Sequence, residues 1–149
     1  MVGKARKFSG VSDKETPPGS GSENGLVAEL SGRRVLVVDD DGQVRALLAR
    51  QLQACGVVVD TASGGAQAMA MLDRDRFDAL MLDLDMPGVT GLDVLLHVQR
   101  AAPDLPVLVV TGTFEAERIE GATDVLAKPV EAKVLRAALA KALRGAGKR

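Results

Sequence analysis

The chain has 149 residues, 46% of them hydrophobic and 26% charged, with a formal net charge of −1. That length predicts one domain with a real core. Near-neutral charge argues against nucleic acid or an anionic membrane as the main partner, since both reward a basic surplus. The single cysteine, Cys55, excludes an internal disulfide framework and a cysteine-built zinc site, and fits a reducing compartment. No apolar run approaches the roughly 18 residues of a spanning helix. Lys4, Arg6 and Lys7 are not followed by the apolar stretch of a signal peptide, so a soluble, cytoplasmic protein is expected. With no Trp, no Tyr and only Phe8, Phe77 and Phe114, the chain has too few rings to stack bases or a flavin.

Residues 9–25 hold ten Gly, Ser or Pro among seventeen. Such a composition cannot bury enough apolar surface to offset its ordering entropy, so residues 1–30 are expected to form a disordered tail. The folded domain is expected over 31–145, with a frayed end at 146–149. From Arg33 onward, short apolar runs alternate with helical periods. Val35-Leu36-Val37-Val38, Val57-Val58-Val59, Ala79-Leu80-Met81-Leu82, Val107-Leu108-Val109-Val110 and Val125-Leu126-Ala127 are five strand candidates. The first four have the unbroken apolar character of strands buried on both faces of a parallel sheet. Between them, Val44, Leu47, Leu48, Leu52 and Cys55 share one helical stripe, as do Leu92, Leu95 and Leu96, and later Val134, Leu135, Ala138, Leu139, Ala142 and Leu143. Asp41 and Ser63 read as helix N-caps and Gly56 as a terminating glycine. Strands alternating with helices predict right-handed βαβ units in a doubly wound, three-layer α/β domain.

In such sheets ligands bind beyond the carboxyl ends of the strands. There the first strand runs into Asp39-Asp40-Asp41, the third into Asp83-Leu84-Asp85, the fourth into Thr111-Gly112-Thr113 and the fifth into Lys128-Pro129. Two unit charges 4 Å apart repel by about 4 kcal/mol at an effective dielectric of 20, so converging carboxylates need counter-ions. Lys128 supplies one. A hard divalent cation is the natural second, and with oxygen ligands and no His or Cys cluster Mg²⁺ fits best. A carboxylate beside Mg²⁺, a hydroxyl and a lysine makes a phosphoryl-accepting set, because phosphoryl transfer asks for positioning and charge neutralisation. Asp83 has the place of the nucleophile that becomes an aspartyl phosphate. Asp39 and Asp40 are assigned to the metal, Thr111 to a phosphoryl oxygen and Lys128 to charge pairing.

These residues resemble a known family. VLVVDDD at 35–41, LDLDMPGVTG at 82–91, PVLVVT at 106–111 and Lys128-Pro129 are similar, in order and spacing, to the motifs of response-regulator receiver domains of two-component signalling. The resemblance covers about 33–144. It implies a flavodoxin-like sandwich around a five-stranded parallel sheet of order 2-1-3-4-5. It further implies Mg²⁺ held by the carboxylates of Asp40 and Asp83 and the backbone carbonyl of Asp85, with Asp39 acting through water. Asp83 would be phosphorylated by a histidine kinase or histidine phosphotransfer protein, Thr111 would swing toward the phosphoryl group, and Lys128–Pro129 would be cis.

Two features depart from the family pattern. The switch position three residues before the lysine, usually aromatic, is Val125, and seventeen positions separate Thr111 from Lys128, which implies a shortened fourth helix. Phe114 is a candidate substitute for the missing ring. The acidic residue two past the acceptor, Asp85, sits beside an open mouth at Gly112, so Asp85→Asn is expected to change the dephosphorylation rate; an unchanged rate removes that role. His97 and Cys55 are expected to be an ordinary surface histidine and a small buried hydrophobe. Only twenty residues follow Pro129, so action by protein contact without an attached output domain is expected. Catalysis is expected only of the domain's own phosphorylation and dephosphorylation. The alternatives are a phosphorelay shuttle or sink excised from a hybrid kinase, which the Leu30–Arg33 approach resembles, and, more distantly, a phosphatase of the haloacid-dehalogenase type. Pro87 and the order of the acidic motifs count against the latter.

Overall fold

The computed structural model describes residues 23–112 and 119–146. Their elements are α1 (Glu23–Leu30), β1 (Arg34–Val38), α2 (Gly42–Gln53), β2 (Val58–Ala62), α3 (Gly65–Arg74), β3 (Ala79–Leu82), α4 (Gly91–Ala101), β4 (Val107–Thr111), β5 (Asp124–Ala127) and α5 (Ala132–Ala146). The strands form one parallel sheet in the order β2-β1-β3-β4-β5, the expected doubly wound topology.

Side chains alternating along each strand divide the core in two. Val35, Val37, Met81 and Leu108 pack on α2 and α5 through Leu48, Leu52, Leu135 and Leu139. Leu36, Val38, Leu80 and Val109 pack on α3 and α4 through Ala68, Val94, Leu95 and Val98. Burial on both faces explains why β1, β3 and β4 are unbroken apolar runs. The outermost strand β2 does not share it. It begins at Val58, which is 50% exposed, and continues through the polar Asp60 and Thr61.

The helical stripes are narrower than their hydrophobic residues suggest. Leu47, Leu92, Leu96 and Val134, expected in the core, are each about half exposed. On α4 the buried line runs Gly91, Val94, Leu95, Val98, so the stripe is centred on a glycine that hydrophobicity does not mark. Asp41 caps α2 as expected, accepting the amides of Gln43 and Val44. Gly56, at φ +84°, lets the chain turn out of that helix. Ser63 is not the N-cap of α3; Gly64 is, because the Ser63 amide and hydroxyl both donate to Gln67 Oε1.

The expected tail needs a larger correction. Residues 23–30 form α1, and Leu30 is fully buried against the α5 face of the core. The domain therefore takes in eight residues that composition assigned to the tail. Helix α5 continues through Ala146. Residues 1–22 and 147–149 lie outside the described residues, as do 113–118, which include Phe114 and the stretch expected to hold the shortened fourth helix.

Candidate functional site

Topology gathers the polar residues. The β1–β3 register pairs Val38 with Leu82, so the next residues, Asp39 and Asp83, emerge side by side. The Asp83 amide extends the ladder by donating to the Val38 carbonyl at 3.0 Å. Thr111 pairs with Ala127 across β4 and β5, and the Lys128 amide donates to the Thr111 carbonyl at 2.9 Å. The Lys128–Pro129 bond is cis, as the resemblance implied. Among the described residues, the buried polar side chains are Asp39, Asp83 and Thr111. The polar groups that the core admits are thus those predicted from the strand ends.

Loop amides hold one oxygen of each buried carboxylate. Asp39 Oδ1 accepts the Asp41 amide at 2.9 Å, and Asp83 Oδ1 accepts the Asp85 amide at 3.2 Å. The other oxygens face Lys128, whose Nζ lies 2.9 Å from Asp39 Oδ2 and 3.6 Å from Asp83 Oδ2. Asp40 is exposed, yet one of its oxygens joins those of Asp39 and Asp83 in a group lying within 4.8 Å of one another. Lys128 therefore pairs with two of three converging carboxylates. Burial, first, and the charge of Asp39, second, push the Asp83 carboxyl up from its ordinary 3.8 to about 6, against the Asp85 amide and Lys128. Burial alone would lower Lys128, but its pairing with Asp39 and Asp83 leaves it above the usual lysine range.

The donor set fits a hard divalent cation. Asp39 Oδ2 is buried and accepts no hydrogen bond, Lys128 approaching it as a charge rather than as a well-directed donor. The converging atoms are all carboxylate oxygens, the ligand type of Mg²⁺. The Asp85 carboxylate is exposed and stands outside that converging group, so its place in a metal site rests on its backbone alone.

Four supporting residues were given no role by the linear reading. Arg45, one turn into α2, donates from Nη1 to the Asp39 carbonyl at 2.7 Å and fixes the acidic loop from behind. A Cβ on Gly91 would stand 2.3 Å from the Asp83 carbonyl oxygen, so only glycine lets α4 start this close to the acceptor. Thr90 and Asp93 cap that start reciprocally. The Thr90-Gly91-x-Asp93 string carries the signal for both. Val125, the expected switch residue, pairs with Val109 and packs half-buried on the α3–α4 side of the sheet. Gly112 is exposed, and among the described residues a Cβ on it would meet nothing within 4 Å. His97 on α4 has an acidic neighbour in space, Asp73 Oδ1 at 2.8 Å from Nε2.

A buried carboxylate facing a lysine, a hydroxyl and a cation cradle can take a phosphoryl group. Comparison with known proteins identifies the family. The family model described as the response regulator receiver domain matches residues 35–140. Response regulator MprA of Mycobacterium leprae is 41% identical over 116 residues, covering 74% of this chain and 51% of that protein. MprA of Mycobacterium tuberculosis (strain H37Ra) is also 41% identical, with 74% and 50% covered. The chain thus spans about half the length of the curated relatives it matches. Among solved structures, response regulator TrrA of Thermotoga maritima in complex with Mg(2+)-BeF superposes with a TM-score of 0.70 at 28% identity, covering 74% of this chain and 98% of that one. A receiver domain protein from Clostridium thermocellum gives 0.73 at 26% identity, with 78% and 98% covered. The chain belongs to the response regulator receiver domain family of two-component signalling.

Proposed function

We propose that this receiver accepts a phosphoryl group on Asp83 from a phosphohistidine of a histidine kinase or histidine phosphotransfer protein, in a Mg²⁺-dependent step. The observation that carries the reading is the buried Asp83 carboxylate, held by the Asp85 amide and faced by Lys128 at 3.6 Å. A carboxylate oxygen of Asp83 forms the bond to phosphorus as the phosphorus–nitrogen bond of the donor breaks, and the imidazole leaves with its electron pair. Lys128 and the Thr111 hydroxyl take the phosphoryl oxygens, and the buried position of Asp83 excludes bulk water from the carbonyl carbon. Asp40, Asp83 and the Asp85 carbonyl, with Asp39 acting through water, would hold a Mg²⁺ ion, which would supply neutralisation of the charge gathered there. The domain catalyses only its own phosphorylation and dephosphorylation, and signals through the surface that responds to it. A net charge of −1 supports protein partners rather than polyanions, and the reading places the domain in the cytoplasm with its kinase. Among the described residues no helix is long and apolar enough to cross a membrane.

The test is intact-protein mass after incubation with acetyl phosphate and Mg²⁺. A single phosphoryl adduct is expected, absent from Asp83→Ala and from a chelator control. An adduct that survives Asp83→Ala places the acceptor elsewhere and overturns the assignment.

A further inference from the structure

Two described segments reach beyond the stretch matched to the receiver family, 35–140: helix α1 and the last residues of α5. They pack on each other. Leu30 is fully buried in the cluster that holds Cys55, Ala142 and Leu143, and Leu26 packs against it. Arg144 Nη1 donates to both oxygens of Glu29, at 2.8 and 2.7 Å. The turn after α1 is seated against the end of α2. The Gly32 amide donates to the Gly56 carbonyl at 2.8 Å, and a Cβ on Gly56 would stand 2.7 Å from Ser31 Oγ. An exposed ion pair alone contributes little, so the seat rests chiefly on Leu30 and the Ser31–Gly56 fit.

The other end of α5 lies at the acceptor site. Lys128 precedes Ala132 by four residues and faces Asp39 and Asp83. Val130 packs in the same core cluster as Leu30, and its carbonyl accepts from Gln51 Nε2 at 3.4 Å. Helix α5, 15 residues and about 22 Å long, is thus a rod with Lys128 just before one end and α1 fastened to the other. A close-packed interior transmits displacement instead of absorbing it.

We propose that α1 is a strap that couples the chain preceding the receiver fold to the acceptor site through α5. Charging Asp83 draws on Lys128, shifts α5 and alters the docking of residues 23–31. By linkage, the docking of α1 alters the affinity of the site for a phosphoryl group or its mimic. The inference rests on the acceptor reading above and adds a regulatory element outside the stretch matched to the family, 35–140.

Hydrogen–deuterium exchange on the full 149-residue chain, with and without Mg²⁺ plus beryllium fluoride, tests it. Amides over 25–33 are expected to be protected in both states, with a several-fold change in exchange on loading. In Leu30→Ala that change disappears while the response over 83–91 persists, and the affinity for beryllium fluoride shifts several-fold. Arg144→Gln, a milder surface change that keeps the core, reduces the response at 25–33 if Leu30→Ala fails to fold. A response at 83–91 with none at 25–33 overturns the strap and leaves the acceptor standing. Silence at both overturns the two together, and fast exchange of 25–31 in the unliganded chain shows that α1 is not fastened at all.

Discussion

The two edges of the sheet handle charge in opposite ways. Near the start of β1, Arg34 donates to Asp60 at 2.5 Å, lies 3.8 Å from Asp75, stands 4.8 Å above the Phe77 ring and offers its amide to Asp78 at 2.8 Å. That cluster is open to solvent, the Arg34 side chain being 39% exposed, so water can serve any charge the protein leaves unmatched. At the carboxyl edge one lysine faces three carboxylates, two of them buried. Here unmatched negative charge has nowhere to go. The lower cluster clips loops together, whereas the upper one gathers more carboxylate than Lys128 balances, the charge pattern that suits a hard cation. Counting charged residues would rank the two edges alike; burial separates them.

Removing Lys128 breaks that contrast most severely. Lys128→Met takes from Asp39 and Asp83 the ammonium that faces them and is expected to cost about 3 kcal/mol at pH 7.5, the scale for stripping one partner from a buried pair. Phosphoryl acceptance falls with it, because no ammonium remains to receive the oxygens. The stability loss shrinks as pH falls through about 6, where Asp83 takes a proton and one charge fewer needs pairing. Urea denaturation of both proteins at pH 7.5 and 5 reads the difference, and an equal cost at the two values removes the charge explanation.

Neutralising the acceptor should act the other way. The Asp83 carboxyl lies at about 6 in the folded chain against 3.8 ordinarily, so between those values the folded state binds the proton that the unfolded state has lost. The ionised carboxylate therefore costs the fold stability that is fully felt above about 6 and absent below about 4, at most about 3 kcal/mol. Asp83→Asn is expected to be more stable than the native chain at pH 7.5 without Mg²⁺, by about 1–2 kcal/mol once the weakened Asp85 and Lys128 contacts are counted. The gain should vanish near pH 4. Mg²⁺ should produce the same relief in the native chain, raising its stability by about 1.4 kcal/mol at ten times the dissociation constant, and much less in Asp83→Asn. If the Asn variant is no more stable at pH 7.5, the carboxyl edge is not strained by its charge.

How much of this was legible in the sequence follows from where each determinant resides. The carboxyl edge was readable because parallel strands are apolar on both faces, and the first polar residue after each must fall on one side of the sheet. Asp39, Asp83, Thr111 and Lys128 needed nothing more. The open edge was not readable. Val57-Val58-Val59 has the composition of a buried strand, and only the sheet order makes β2, which it opens, an edge. Helix α1 was hidden because the Pro, Gly and Ser around residues 17–25 mask a short apolar segment. The partner that buries and pairs it lies 115 positions away on α5. Arg45 and the His97–Asp73 pair depend likewise on contacts across elements. Val125 was placed correctly in the fifth strand, while Phe114, the candidate substitute ring, lies outside the described residues.

The smallest expected effect tests the other half of the comparison. Asp60→Asn removes the closest acid from Arg34 but leaves Asp75, Asp78 and the Phe77 ring in place. Because the guanidinium is well solvated, water and the remaining acids replace most of what is lost, and exposed pairs of this kind contribute little to begin with. The midpoint of thermal unfolding should fall only slightly at low ionic strength. The difference from the native chain should fade as salt is raised, since the Debye length shortens to about 3 Å at 1 M. The Lys128→Met difference should persist under the same salt, being shielded by burial. Equal salt sensitivity at the two edges would mean that burial does not distinguish them, and the contrast between a solvated clip and a buried acidic cluster would fail.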